Sequence, residues 1–141
     1  MPEKLLVSPC PFLWPNPATF MAKKILLIDD DSQLIELVAM RLEANEYQVL
    51  AAFSGQDGLS MAESEEPDLI LLDITMPGMD GLEVLRKLKY NSKTSHIPVV
   101  MLTSKTESQA IFRSQELRAV EYIIKPFEPK ELLSIIKTQT S

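Results

Sequence analysis

The chain has 141 residues and is nearly without cysteine or histidine. One cysteine, Cys10, cannot form an internal disulfide and rules out zinc sites built from several thiolates. One histidine, His96, provides no imidazole cage for a transition metal. Basic residues are not in excess: 20 acids against 14 bases give a formal charge of -6. That argues against the broad basic surface used to bind a phosphate backbone. No apolar run reaches the roughly 18 residues that cross a bilayer. Glycine is scarce, with all four residues (Gly55, Gly58, Gly78, Gly81) in one short stretch. There is no internal repeat and no low-complexity block.

What is present is ordinary for one globular domain: 45% apolar and 24% charged residues, in a length suited to one core. Proline is distributed unevenly. Five of the ten prolines (Pro2, Pro9, Pro11, Pro15, Pro17) fall in the first 17 residues. There they remove backbone donors and break any helix. Residues 1–21 are therefore expected to form a poorly ordered, proline-rich extension, with the domain proper at 22–141. Leu5-Leu6-Val7 is cut short by Pro9 and Pro11, too soon for the apolar core of a secretory signal. Met21-Ala22-Lys23-Lys24 reads as a natural start. The apolar Phe12, Leu13, Trp14 and Phe20 could instead dock on the domain or on a partner.

From Lys23 onward the pattern alternates between strand and helix. Ile25-Leu26-Leu27-Ile28 is wholly apolar, as befits a strand buried on both faces. Leu34, Leu37, Val38 and Leu42 then follow helical spacing and are expected to face inward. Tyr47–Ala51 reads as a second strand, and residues 55–64 as a helix with Leu59 and Ala62 inward. Leu69–Leu72 is the most apolar strand. Asp80 is placed to cap a helix carrying Val84, Leu85 and Leu88. Pro98–Leu102 is a fourth strand, with its proline at the first position. A helix is expected over 106–117, a short strand at Tyr122-Ile123-Ile124, and a last helix over 128–137 with Leu132, Ile135 and Ile136 inward. Such alternation predicts an α/β fold with a parallel sheet covered on both faces.

In an open parallel sheet, ligands bind at the carboxyl ends of the strands. Asp29, Asp30 and Asp31 follow the first strand, Asp73 the third, Thr103 the fourth, and Lys125 the fifth. Taken singly, each has a bland reading: a turn or capping aspartate, a capping hydroxyl, a solvated lysine. Asp31 fits the capping role. Together, carboxylates, a hydroxyl and an ammonium converge on one edge. Clustered carboxylates repel one another unless a cation intervenes, and a hard divalent ion such as Mg²⁺ is the natural one. A carboxylate can also accept a phosphoryl group, given a cation and donors to neutralise the phosphoryl oxygens. The Lys125-Pro126 bond can be cis at low cost, and a tight turn there would aim Lys125 inward. His96, in a polar stretch, reads as a surface loop residue.

Four strings carry a family resemblance: KKILLIDDDSQLIELVAMRL, PDLILLDITMPGMDGLEVLRKLK, IPVVMLTSK and YIIKPFEPKELL. In this order and spacing they resemble the receiver domain of response regulators in two-component signalling. The resemblance covers about residues 23–138. It implies the flavodoxin-like (βα)5 sandwich, doubly wound, with strand order 2-1-3-4-5. It makes Asp73 the phosphoacceptor. Asp29, Asp30 and Asp73, with the backbone carbonyl of Thr75, would hold Mg²⁺. Thr103 and Lys125 would contact the phosphoryl group, and Tyr122 would be the aromatic switch.

The resemblance further implies a cytoplasmic phosphoprotein that is not a turnover enzyme. It would be phosphorylated by a histidine kinase or histidine phosphotransfer protein. The output would pass to a downstream protein through the face of the fourth helix, fifth strand and fifth helix, with no direct nucleic-acid or membrane binding. Only four residues follow Lys137, so a stand-alone receiver is expected. The chain departs from the family at Arg118, where glycine usually ends the fourth helix, and at Val120, where an acid is usual. Basic residues in the last helix are limited to Lys130 and Lys137. Two alternatives stand beside this reading. One is a pseudo-receiver that binds partners without phosphorylation. The other is a haloacid-dehalogenase-type phosphatase using Asp29-x-Asp31, against which Gln33 and the lack of a cap domain weigh.

Overall fold

The structure, a computed structural model, describes residues 22–76, 78–104 and 116–140. Five strands, β1 (Lys24–Ile28), β2 (Gln48–Ala52), β3 (Leu69–Asp73), β4 (Val99–Ser104) and β5 (Glu121–Lys125), form one parallel sheet in the order β2-β1-β3-β4-β5. Four helices lie among the described residues: α1 (Ser32–Ala44), α2 (Gly55–Glu65), α3 (Gly81–Tyr90) and α4 (Pro129–Thr140). The expected 2-1-3-4-5 order is therefore observed. The proline-rich extension (1–21) and most of the helix expected at 106–117 lie outside the described residues.

The apolar strands sort their side chains by alternation. Ile25, Leu27, Leu69, Leu71, Val100 and Leu102 point to one face and pack against Ile35, Val38, Ala39 and Leu42 of α1 and Leu132 and Ile136 of α4. Leu26, Ile28, Ile70, Leu72 and Met101 point to the other, against Ala62 of α2 and Val84, Leu85 and Leu88 of α3. Full burial of each Leu or Ile contributes roughly 1.5–3 kcal/mol. This doubly covered core is what holds the strand ends still.

Leu37 was read as core, but it is 63% exposed, and the buried stripe of α1 runs Ile35, Val38, Ala39, Leu42. At 100° per residue, Leu37 lies about 150° from the middle of that stripe, and Leu34 only flanks it. Leu59 is half-buried on α2, while Gly58 and Ala62 take the contact. Asp80 caps α3 as expected, its Oδ1 accepting the Glu83 N–H at 2.9 Å.

Glycine scarcity has a visible consequence. Among the described residues, three that are not glycine adopt left-handed backbone: Glu46 (φ 71°), Glu66 (φ 49°) and Arg118 (φ 70°). Glu46 ends α1 in a 6→1 arrangement, with the Tyr47 N–H donating to the Leu42 carbonyl at 3.0 Å. Arg118 thus takes up the conformation that favours glycine at the position where the family usually has one.

Candidate functional site

Because β1 lies between β2 and β3, the succession of strands reverses direction there, opening a crevice beyond the carboxyl ends of β1 and β3. Asp29 and Asp73 stand at those two ends. Asp29 continues the ladder, its N–H donating to the Ala52 carbonyl at 3.1 Å. Asp73 is the last residue of β3 and pairs in register with Leu102. Thr103 therefore lies one step further along β4, and the register Ser104↔Lys125 brings the end of β5 alongside.

Lysine 125 ties the two buried acids together. Its Nζ donates to Asp29 Oδ2 and Asp73 Oδ1, both at 3.0 Å. The Lys125-Pro126 bond is cis. Asp30 is exposed, yet it offers an oxygen that lies, with one from each of Asp29 and Asp73, within a mutual 4.8 Å. The Asp31 N–H donates to Asp29 Oδ1 at 3.0 Å. The side chain of Asp31 is turned away to cap α1, accepting from the N–H groups of Gln33 and Leu34. The cluster is thus Asp29, Asp30 and Asp73, without Asp31.

Burial, and next the charge of Asp29, push the Asp73 carboxyl up to about 6 against the opposing pull of Lys125; Asp30 adds a smaller push in the same direction. Burial disfavours the Lys125 ammonium, but Asp29 and then Asp73 outweigh it and raise its pKa. One ammonium therefore does not offset three clustered carboxylates. The donor set is all oxygen, partly buried and open on the Asp30 side, which suits a hard divalent cation that keeps some of its water.

Thr103 is buried, its Oγ1 donating to the Ser104 carbonyl at 3.3 Å. Thr75 is exposed, two residues beyond Asp73. Tyr122 is half-buried on β5 opposite Met101, on the α2/α3 face of the sheet with Leu117 and Ala119. His96 is exposed and precedes β4, at the opposite edge of the sheet from the site. Sequence reading missed the backbone's part in the site. The Asp31 amide on Asp29 was legible only as an Asx pattern two residues long. No signal marked the close approach of Gly81 to the Asp73 backbone.

Residues 25–137 match the response regulator receiver domain family. The chain belongs to that family, a class of signalling domains. It is 39% identical over 117 residues to the alkaline phosphatase synthesis transcriptional regulatory protein PhoP of Bacillus subtilis, which covers 83% of this chain and 48% of that protein. The identity is also 39% over 117 residues to the phosphate regulon transcriptional regulatory protein PhoB of Pseudomonas aeruginosa, covering 83% and 51%. The chain thus spans about half the length of these curated relatives. Among solved structures, a CheY-like receiver domain protein from Methanospirillum hungatei superposes with a TM-score of 0.79 at 32% identity, covering 84% of this chain and 94% of that one. The chemotaxis protein CheY4 of Vibrio cholerae gives 0.78 at 28%, covering 83% and 98%. No helix among the described residues is long and apolar enough to cross a membrane.

Proposed function

We propose that this chain is a phosphoryl-accepting switch: a histidine kinase or histidine phosphotransfer protein in the cytoplasm donates a phosphoryl group to Asp73, and the product changes what the domain binds. The observation that carries this reading is the single ammonium of Lys125 held between the buried carboxylates of Asp29 and Asp73. A carboxylate so placed is a nucleophile with its counter-charge already in position.

An oxygen of Asp73 attacks phosphorus, the P–N bond to the donor imidazole breaks, and the departing nitrogen takes a proton from water. Lys125 moves its charge from the Asp73 carboxylate to the incoming phosphoryl oxygens. The Thr103 hydroxyl turns from the Ser104 carbonyl to donate to the same group. Asp29, Asp30 and Asp73, with the Thr75 carbonyl, are the residues that would hold Mg²⁺, which supplies charge neutralisation on the phosphoryl oxygens. Little covalent work falls to the protein, so positioning and charge dominate. Asp73 is in this reading a signalling phosphoacceptor, not the nucleophile of a turnover enzyme. Movement of Thr103 alters the packing around Tyr122, and the signal leaves through the side of the domain around β5 and α4 to a protein partner.

The test uses the full chain with acetyl phosphate as donor. Intact-mass spectrometry is expected to show one added phosphoryl group in Mg²⁺, none in EDTA, and none for Asp73→Asn. Equal labelling of Asp73→Asn would overturn the assignment.

A further inference from the structure

We infer that Gly81, the first residue of α3, is a positioning residue for Asp73, which it serves by allowing the helix start to sit directly on the peptide that carries the acceptor. The inference rests on the functional reading above.

The chain leaves the sheet at Ile74 and returns at Gly81. The two ends of this excursion are joined: the Gly81 N–H donates to the Ile74 carbonyl at 2.7 Å, while the Ile74 N–H donates to the Leu102 carbonyl of β4 at 3.0 Å. Ile74, the residue next to the acceptor, is thus gripped through its N–H from the sheet side and through its carbonyl from the helix side. A Cβ at position 81 would meet the carbonyl oxygen of Asp73, stand 2.6 Å from Ile74 Cα, and stand 2.9 Å from the Asp73 carbonyl carbon. All three are backbone atoms, so no side chain can turn aside. Relief requires the end of β3 and the start of α3 to separate by about 1 Å to reach ordinary carbon contact. Gly81 is not among the residues with positive φ. It is needed for space, not for conformation, and helix propensity alone would favour alanine there.

The separation falls on the acceptor. The Asp73 carboxylate meets Lys125 at 3.0 Å and shares a 4.8 Å cluster with Asp29 and Asp30. A displacement of about 1 Å at a reacting group lowers a positioning-limited rate by up to about a hundredfold. The other two crowded glycines differ in kind. A Cβ at Gly55 would meet the side chains of Val84 and Met79, and one at Gly58 only that of Ile28; none of these is acceptor or cation ligand.

The experiment compares Gly81→Ala with Leu88→Ala, which opens a cavity in the same helix but far from its start. Both are assayed as full chains, with folding checked by circular dichroism. The readout is the maximal rate of Asp73 labelling at saturating Mg²⁺ and acetyl phosphate, a quantity that lost stability alone does not move in a folded protein. The expected result is a fall of about 10- to 100-fold for Gly81→Ala and less than about 3-fold for Leu88→Ala. If either variant is partly unfolded, both are assayed in trimethylamine N-oxide, which favours the compact state. A Gly81→Ala rate within about 3-fold of wild type overturns the inference. So does an equal fall in both variants, which makes the effect one of stability. A wild-type chain that takes up no phosphoryl group instead overturns the functional reading, and the inference with it.

Discussion

Asp73 is a carboxyl group whose surroundings work against its charge, and that has a consequence for stability as well as chemistry. Its folded value of about 6 lies above the value of ~3.9 expected in an unfolded chain. Between roughly pH 4 and 6 the native state therefore holds a proton that the unfolded state has lost, so this group makes stability fall as pH rises. In metal-free protein at pH 7, Asp73→Asn is expected to raise unfolding free energy by roughly 1–3 kcal/mol, and by less at pH 5, as measured by urea denaturation in EDTA. Lys125→Met has the opposite sign. It leaves two buried carboxylates facing each other and costs up to about 3 kcal/mol at pH 7, less at pH 5, where a proton can replace the ammonium. The raised pKa of Lys125 itself contributes stability that persists at neutral pH and is lost only as pH climbs beyond roughly 10.4. At this scale the sequence was informative because strand ends announce themselves. Asp29, Asp73, Thr103 and Lys125 each follow an apolar run, and the fold brings them to one edge. Leu37 was misread because Leu34, Leu37, Val38 and Leu42 also form a helical stripe, rotated round the helix from the one that Ile35, Val38, Ala39 and Leu42 bury.

Local backbone chemistry decides more at the scale of the element than composition suggested. Glu46, Glu66 and Arg118 hold left-handed conformations that cost an L-residue roughly 1–2 kcal/mol, and all three side chains are exposed. Glycine at each position removes that cost and gives back part of it as unfolded-state entropy. Glu46→Gly, Glu66→Gly and Arg118→Gly are each expected to raise stability by about 0.5–1 kcal/mol, read as an upward shift in thermal midpoint. The caps act in the other direction: Asp80→Ala removes the bond to the Glu83 N–H and should cost about 1 kcal/mol. The caps at Asp31 and Asp80 were legible because a short acid before an apolar-periodic stretch is a helix signal. The left-handed positions were not, because glutamate and arginine there carry no mark of the conformation imposed by the chain's next turn. Nor was the contact of Gly81 with the Asp73 backbone, which depends on how α3 is laid across the sheet.

The described residues form one parallel sheet with helices packed on both faces and a charged edge at the carboxyl ends of its strands. Its core was readable from runs such as Ile25–Ile28 and Leu69–Leu72, since a strand buried on both faces must be apolar throughout. The charge of -6 also takes on a location at this scale: part of it is the group of Asp29, Asp30 and Asp73, drawn together by topology. A cation among them should stabilise the fold by mass action, so Mg²⁺ is expected to raise the thermal midpoint more at pH 7 than at pH 5, where Asp73 is largely protonated. Equal shifts at both pH values would place the ion elsewhere. The proposed function requires that Asp73 receive the phosphoryl group. It is tested most directly by treating the chain with acetyl phosphate and Mg²⁺, reducing any acyl phosphate with borohydride, and mapping the modified residue by tandem mass spectrometry. Homoserine at position 73 is the predicted result; homoserine at position 29, or at no position, would contradict it.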